Sequence, residues 1–356
     1  MLGLASLLIW PFWIYREFLR DKSGTSTRMP VSKVEILIPV HNEERVLRST
    51  LRSIHHAIHE FSQAHPQVGV TLKVGLDSCS DLSEQIAKDY PCEIHSCQFK
   101  SKWKTLSALL SQSDGDWVVF ADAGIQWPER FLCDALAHLE RSDLVGVAPA
   151  YSASNVGILE SLHWFIESGF KRFESQFLGG PVSVHGATVF YRRAAVQQVF
   201  TQLAGQDWAV DDVVIPLVLR GLFPQSKILY WEGGSRRARV QDLGVDQEPA
   251  SAGRRERIAL GNLQWVRSLL IWAFQHNRVV GFLLLRRVFR LFWGYWLILL
   301  VLGSLRTLGG DLVDAGALAL LLSGLVVFLR AAAFFASIKS PFYLIRRNDL
   351  NLIRWS

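Results

Sequence analysis

Four carboxylates stand in this sequence where acids can do chemistry. Asp122 closes the apolar run "WVVFA", and Asp77 closes a second one, "VTLKVGL". Asp211 and Asp212 open the apolar stretch "DDVVIPLVLRGL". An acid that a strand delivers to the edge of a sheet can hold a ligand; it can also simply cap the helix that follows. The cap reading suits one acid at a helix start, where the helix end is partly positive, but accounts less well for two in a row. Adjacent carboxylates raise each other's pKa, toward the range in which one of them can accept a proton. Two residues beyond Asp122, where a second acid would reinforce the first, the sequence has Gly124 and then Gln126 after one more residue.

The elements that must position these acids alternate. "VEILIPV" is a near-continuous apolar run, as expected of a strand covered on both faces. A helix is expected from about Glu43 to Phe61, with Leu47, Leu51, Ile54, Ile58 and Phe61 on one stripe. The strand ending at Asp77, a helix holding Leu82 and Ile86, the strand "CEIHSC", a helix from Trp103 and the strand ending at Asp122 follow in turn. "VSVHGATVFYRRAAV" reads as a strand turning into a helix. This β-α-β-α order predicts an α/β fold with a mainly parallel sheet, whose ligands bind beyond the carboxyl ends of the strands.

Composition points to a membrane. Half of the 356 residues are hydrophobic, 13 are Trp, and the net charge is +6. The apolar segments "LGLASLLIWPFWIY", "LFWGYWLILLVLGSL" and "AGALALLLSGLVVFL" are flanked by basic clusters, including Arg16 and Arg20, Arg286 and Arg287, and Arg346 and Arg347. By the positive-inside rule the middle of the chain is cytosolic. The expected organisation is an N-terminal membrane anchor over 1–20, a cytosolic α/β domain over 33–250, and a basic stretch with interfacial amphipathic helices over 251–290. Two transmembrane helices over 291–340 and a cytosolic tail over 341–356 complete it. Trp265, Leu269, Leu270, Trp272 and Phe274 suit a helix lying on a bilayer. Basic residues gather on membrane flanks and none alternate with aromatics as in single-strand binders, so no nucleic-acid partner is expected. The four cysteines have neither CxxC nor zinc spacing.

From about Val34 to Gln264 these residues, in this order, resemble the family 2 glycosyltransferases of GT-A fold, above all the membrane branch of cellulose, hyaluronan and poly-N-acetylglucosamine synthases. "IPVHNEE" resembles the P-x-x-N-E strand end, "LDSCSD" the D-x-x-x-D element, and "KWKTL" the lysine of K-x-x-A-L. "FADAGIQWP" resembles the D-x-D segment and "VHGATVFYRR" the acceptor-side turn. "VDDVVIPLVLRGL" resembles the helix with the catalytic base, and "RRERIALG" falls where the synthases have Q-x-x-R-W. The resemblance implies a Rossmann-like GT-A domain and an inverting transfer of a sugar from a nucleotide-sugar donor, UDP-linked by expectation. It makes Asp212 the base and Asp211 its neighbour. Pro39, Glu43, Asp77, Lys102, Asp122, Arg255 and Arg257 become donor-binding residues, and His185 and Gly186 acceptor-side ones. Asp122 and Gln126 are the implied ligands of Mg2+ or Mn2+, at a site weakened because Gly124 replaces the second acid of D-x-D.

A second departure concerns the acceptor. Ile258 stands where the synthases have Trp, and Arg254 replaces Gln. That substitution and the small number of apolar segments favour transfer to a membrane lipid or lipid-linked glycan, in cell-envelope or exopolysaccharide synthesis at the inner membrane. A processive synthase working with partner subunits is the alternative, and a catalytically silent, nucleotide-sugar-binding scaffold is an alternative of another class.

Overall fold

The computed structural model describes residues 26–152, 158–232, 239–242 and 248–291, with Tyr295 and Ile298. The expected anchor over 1–20, the tail over 341–356 and nearly all of the two expected spans over 291–340 lie outside the described residues. Among the described residues no helix is long and apolar enough to cross a membrane.

The chain divides into two compact units. The first contains the described residues up to Asp242 except Trp208–Val210, and is built on a seven-stranded sheet. β1 (Lys33–Val40) lies inside it and is buried along nearly its whole length, as its near-continuous apolar sequence leads one to expect. The helix α1 (Glu44–Ala64) turns Leu47, Leu51, Ile54 and Phe61 into the core, the stripe anticipated from their spacing. β2 (Gly69–Asp77), α2 (Ser83–Lys88), β3 (Glu93–Cys97), α3 (Lys102–Ser111) and β4 (Trp117–Ala121) follow. β2 and β4 pair in parallel with opposite sides of β1. The winding therefore reverses at β1, and beyond the carboxyl ends of β1 and β4 lies the crevice that such sheets offer to ligands.

Three further strands extend the sheet, β6 (Leu144–Pro149), β8 (Thr188–Arg192) and β9 (Lys227–Trp231), and the helix α7 (Asp211–Leu222) precedes β9. The strand order is β3-β2-β1-β4-β8-β6-β9, and β8 alone runs against its neighbours. That reversal matters. It pairs Thr188, where β8 begins, with Ala121, where β4 ends, so the residues just before β8 share an edge with Asp122. A small second sheet joins β5 (Ile125–Gln126), β7 (Tyr151–Ser152) and β10 (Val240–Asp242).

The helix α5 (Ile158–Phe177) ends in a turn built on two glycines, Gly179 at φ +79° and Gly180 at φ +133°. Arg220, buried on α7, donates to the carbonyl of Gly180 at 2.6 Å and also to that of Leu178. A Cβ on Gly180 would stand 2.7 Å from the Ile228 carbonyl oxygen, so both its conformation and its contacts demand glycine.

In the second unit α8 (Glu248–His276) and α9 (Arg278–Leu291) pack together, with Phe274 edge-on to Phe282 at 5.4 Å. Asn277 links them and caps α9, its side-chain oxygen accepting from Val280 N. The bilayer-facing stripe expected on α8 is only partly available. Trp265 and Leu269 are buried, and the Trp265 indole donates to Asn262 at 2.9 Å. Periodicity gives the apolar face and not what covers it.

Gly180→Ala should cost about 2–3 kcal/mol of stability, from overpacking against β9 and backbone strain. Gly205→Ala, also at positive φ but with open space around it, should cost less. Thermal melts of the two variants compare them directly.

Candidate active site

The floor of the site is Asp77, fully buried at the end of β2. One carboxylate oxygen accepts from Phe99 N at 2.7 Å and Lys100 N at 2.9 Å, the other from Ser101 N at 2.8 Å and the Thr105 hydroxyl at 3.1 Å. Burial works against its charge, but the Lys100 and Ser101 N–H groups and the hydroxyls outweigh it and hold its pKa below the usual carboxylate range. In this structure the Asp77 carboxylate, an expected donor-binding group, is enclosed by its own chain and fixes the start of α3. Gly75 makes the close approach possible, since a Cβ there would meet Thr105 Cγ2 at 2.7 Å. Ser101 caps α3 by accepting from Lys104 N.

Lys102, the first residue of α3, is consequently held in place. Its ammonium lies 2.7 Å from Asp122 Oδ1 and 3.2 Å from Asp211 Oδ2, joining carboxylates that are 89 residues apart in sequence. Burial pulls the lysine pKa down, but Asp122 and Asp211 outweigh it and hold it above its ordinary value. Behind them, Tyr191 is buried, and burial together with both helix acids raises its phenol well above the ordinary range. Asp122 N donates to the Ala187 carbonyl and Val184 N to the Asp212 carbonyl, so the segment before β8 is tied to both walls. Gly186 lies between them. A Cβ on it would come 3.3 Å from Asp212 Cβ and 4.0 Å from Asp122 Oδ2. The structure thus gathers Lys102, Asp122, Asp211, Asp212 and Gly186 at one sheet edge.

Other expected site residues lie differently. Pro39 is buried within β1, and Glu43 is half-buried at the start of α1, its backbone N–H bonded to Ser83 Oγ. His185 is not open to a substrate in this conformation. Its ring is buried, stacked on Tyr151 at 5.6 Å and tilted against Trp164 and Tyr230, with Lys171 Nζ 3.1 Å from Nε2. Burial, then the Lys171 charge, lowers its pKa well below the histidine range, so it is neutral. Gln126 donates its amide to Ser49 Oγ at 3.0 Å, and among the described residues no three His, Cys, Asp or Glu side chains converge as a metal cluster. Arg257 sits in α8 of the second unit, and the Arg255 side chain lies outside the described residues.

Gly124 has a conformational reason. Its φ is +88°, and its N–H donates to Thr50 Oγ1 on α1 at 2.9 Å. Few side chains tolerate that backbone. Among the described residues three non-glycines, Asn42, Ser78 and Lys100, also have positive φ, and all three flank the strand ends around the crevice. Sequence reasoning missed Asn42 as a tie, though its side chain accepts from Ser80 N at 2.8 Å, and Asp207, which accepts from Ser101 Oγ at 2.6 Å. The asparagine in a strand-end turn was a readable signal; Asp207 offered none.

Residues 35–200 match the family model described as glycosyl transferase family 2. Among solved structures, the chain is similar to the mannosyltransferase PcManGT from Pyrobaculum calidifontis, in complex with GDP-Man and Mn2+, at 15% identity and a TM-score of 0.60 over 95% of each chain. It is also similar to residues 1–349 of S. aureus TarS in complex with UDP-GlcNAc, at 15% identity and a TM-score of 0.47 over 66% of each chain. A third is glucosyl-3-phosphoglycerate synthase from Mycobacterium tuberculosis with Mn2+, UDP and phosphoglyceric acid, at 18% identity and a TM-score of 0.43 over 64% of this chain and 76% of that one. The likeness to the first is one of fold. No curated protein sequence matches the chain.

Two outcomes follow from the geometry. Because the native pKa of Asp77 is depressed, its contribution to stability is complete above the ordinary carboxylate pKa of about 4 and is lost as pH falls below it. Asp77→Asn should therefore lower stability at neutral pH and flatten the acid side of the stability profile, as read by denaturant unfolding between neutral and acid pH. Gly124→Asp should cost about 1–3 kcal/mol through its backbone, which a thermal melt would register.

Proposed function

We propose that the chain, whose residues 35–200 match the glycosyl transferase family 2 model, is a nucleotide-sugar-dependent glycosyltransferase that moves a sugar with inversion from a UDP-linked donor to a membrane lipid or lipid-linked glycan. The observation that supports this most is the convergence of Lys102, Asp122, Asp211 and Asp212 beside Gly186 at the carboxyl edge of the sheet. The setting proposed is cell-envelope or exopolysaccharide synthesis at the inner membrane, with this domain on the cytosolic side; the basic residues that bracket the apolar segments support it.

In this reading Asp212 takes the proton of the acceptor hydroxyl, whose oxygen bonds to the anomeric carbon as the bond to the diphosphate breaks. A base positioned in this way contributes roughly a hundred- to ten-thousandfold to rate. Gly186 lets the turn before β8 pack close to Asp212, because a Cβ there would stand 3.3 Å from the Asp212 Cβ. The electron pair of the broken bond leaves with the diphosphate, whose charge needs preorganised cations. Lys102 is one, on the positive N-terminal end of α3.

The residues also fit a divalent ion. Asp122 is 38% exposed, and the missing side chain of Gly186 leaves a cradle next to its Oδ2. One carboxylate suffices where phosphate oxygens and water fill the other positions. When bound, Mg2+ or Mn2+ would add positive charge at the diphosphate. The loss of the second acid makes the site weaker than a two-carboxylate one, and Ile258 at the aromatic position of the synthases favours short transfers over a growing polymer.

Asp212→Asn should abolish nucleotide release from the detergent-solubilised full-length protein offered UDP-, GDP- and dTDP-sugars with membrane lipids, a loss of about a thousandfold or more. Release that Asp212→Asn leaves unchanged would refute the assignment of the base. Mass spectrometry of the lipid product separates one transferred sugar from a polymer.

A further inference from the structure

A lysine ammonium already stands where a divalent ion would bind. Lys102 Nζ is 2.7 Å from Asp122 Oδ1, and it reaches a second carboxylate, Asp211, at 3.2 Å. This is no loose surface pair. Lys102 is only 21% exposed, and its backbone is fixed from below, where Asp77 gathers the N–H groups of residues 99–101 and Ser101 caps the helix. Ser101, next to the lysine, also donates its hydroxyl to the Asp207 carboxylate at 2.6 Å, four residues before Asp211 in sequence. Gly75 lets α3 settle onto β2 and sets the height of its first turn. A rigid ammonium in contact with the Asp122 carboxylate both neutralises that ligand and repels a second cation. Position 124, with φ +88°, supplies no other acid to outbid it.

We propose that Lys102 is the resident cation of the donor-free site, holding Asp122 and Asp211 in place of a divalent ion, so that a metal joins only together with a nucleoside diphosphate. The phosphate oxygens then provide the ligands that position 124 lacks, and the ammonium, released from Asp122, is left facing the diphosphate. The inference deepens the proposed transfer and rests on it for the meaning of the diphosphate. The competition between lysine and metal for Asp122 does not depend on any transfer occurring.

The test uses the full-length protein in detergent without nucleotide, with binding of Mn2+ alone followed by the electron paramagnetic resonance signal of the free ion. Wild type should bind Mn2+ at least about tenfold more weakly than Lys102→Met, a change of the size that neighbours of metal ligands typically impose. Lys102→Gln, nearly isosteric and neutral, should show the same gain and serves if the Met variant does not fold, as judged by circular dichroism. Lys102→Arg should stay as weak as wild type. Lys104→Met removes a cation that is 51% exposed and two residues away, and should leave Mn2+ affinity unchanged. Equal affinity in wild type and both neutral variants would overturn the proposal, as would an equal gain in Lys104→Met, which would reveal only a general effect of charge. Nucleotide release is read separately, so failure of the transfer would leave this comparison intact.

Discussion

The ammonium of Lys102 holds together two carboxylates that would otherwise repel. Asp122 comes from the end of β4 and Asp211 from the start of α7, and the lysine between them offsets their repulsion. At an effective dielectric constant near 20, two like charges 4 Å apart repel by about 4 kcal/mol, comparable to a large part of a domain's stability. Everything that fixes Lys102 therefore fixes the site. The buried Asp77 is the deepest of these supports: it has no open face of its own, and it sets where α3 begins.

The sheet supplies the rest by direction. Parallel strands send their carboxyl ends to one edge, so β1, β2 and β4 deliver Asn42, Asp77 and Asp122 together. A parallel strand in the position of β8 would have carried Gly186 to the opposite edge. Running antiparallel, β8 starts at the crevice, and the turn before it comes against both Asp122 and Asp212. The strained residues Asn42, Ser78 and Lys100 lie at the same edge, where tight reversals are needed and the surrounding hydrogen bonds can hold them.

What the sequence revealed was whatever depends on near neighbours along the chain. The stripe Leu47, Leu51, Ile54 and Phe61, the buried run of β1 and the acids at two strand ends all follow from periodicity and adjacency. What it hid depends on partners far away. The sequence places Asp77 at a strand end but does not show that residues 99–101 close over it, nor that Tyr151, Trp164 and Tyr230 surround His185. Trp265 reads as membrane-facing because an apolar stripe looks the same whether lipid or protein covers it. Asp207 gave no signal, since a lone acid before a helix commonly faces solvent.

Gly124 joins these two kinds of information. From sequence it is a missing charge; in the structure it is a turn, with its N–H on Thr50 and its φ where a side chain is unwelcome. The turn has a consequence for the charge balance. Taken by themselves, Lys102, Asp122, Asp211 and Asp212 carry one formal positive charge and three formal negatives, a balance that repels a diphosphate. A further acid at position 124 would deepen that repulsion unless a metal were permanently bound to offset it. Glycine keeps the deficit small enough for one lysine, a helix N-terminus and a cation arriving with the phosphates to reverse it. In the proposed reading the absence of the second acid and the presence of the bridging lysine are a single arrangement, in which positive charge is built into the fold at Lys102 and need not be held in advance by a bound ion.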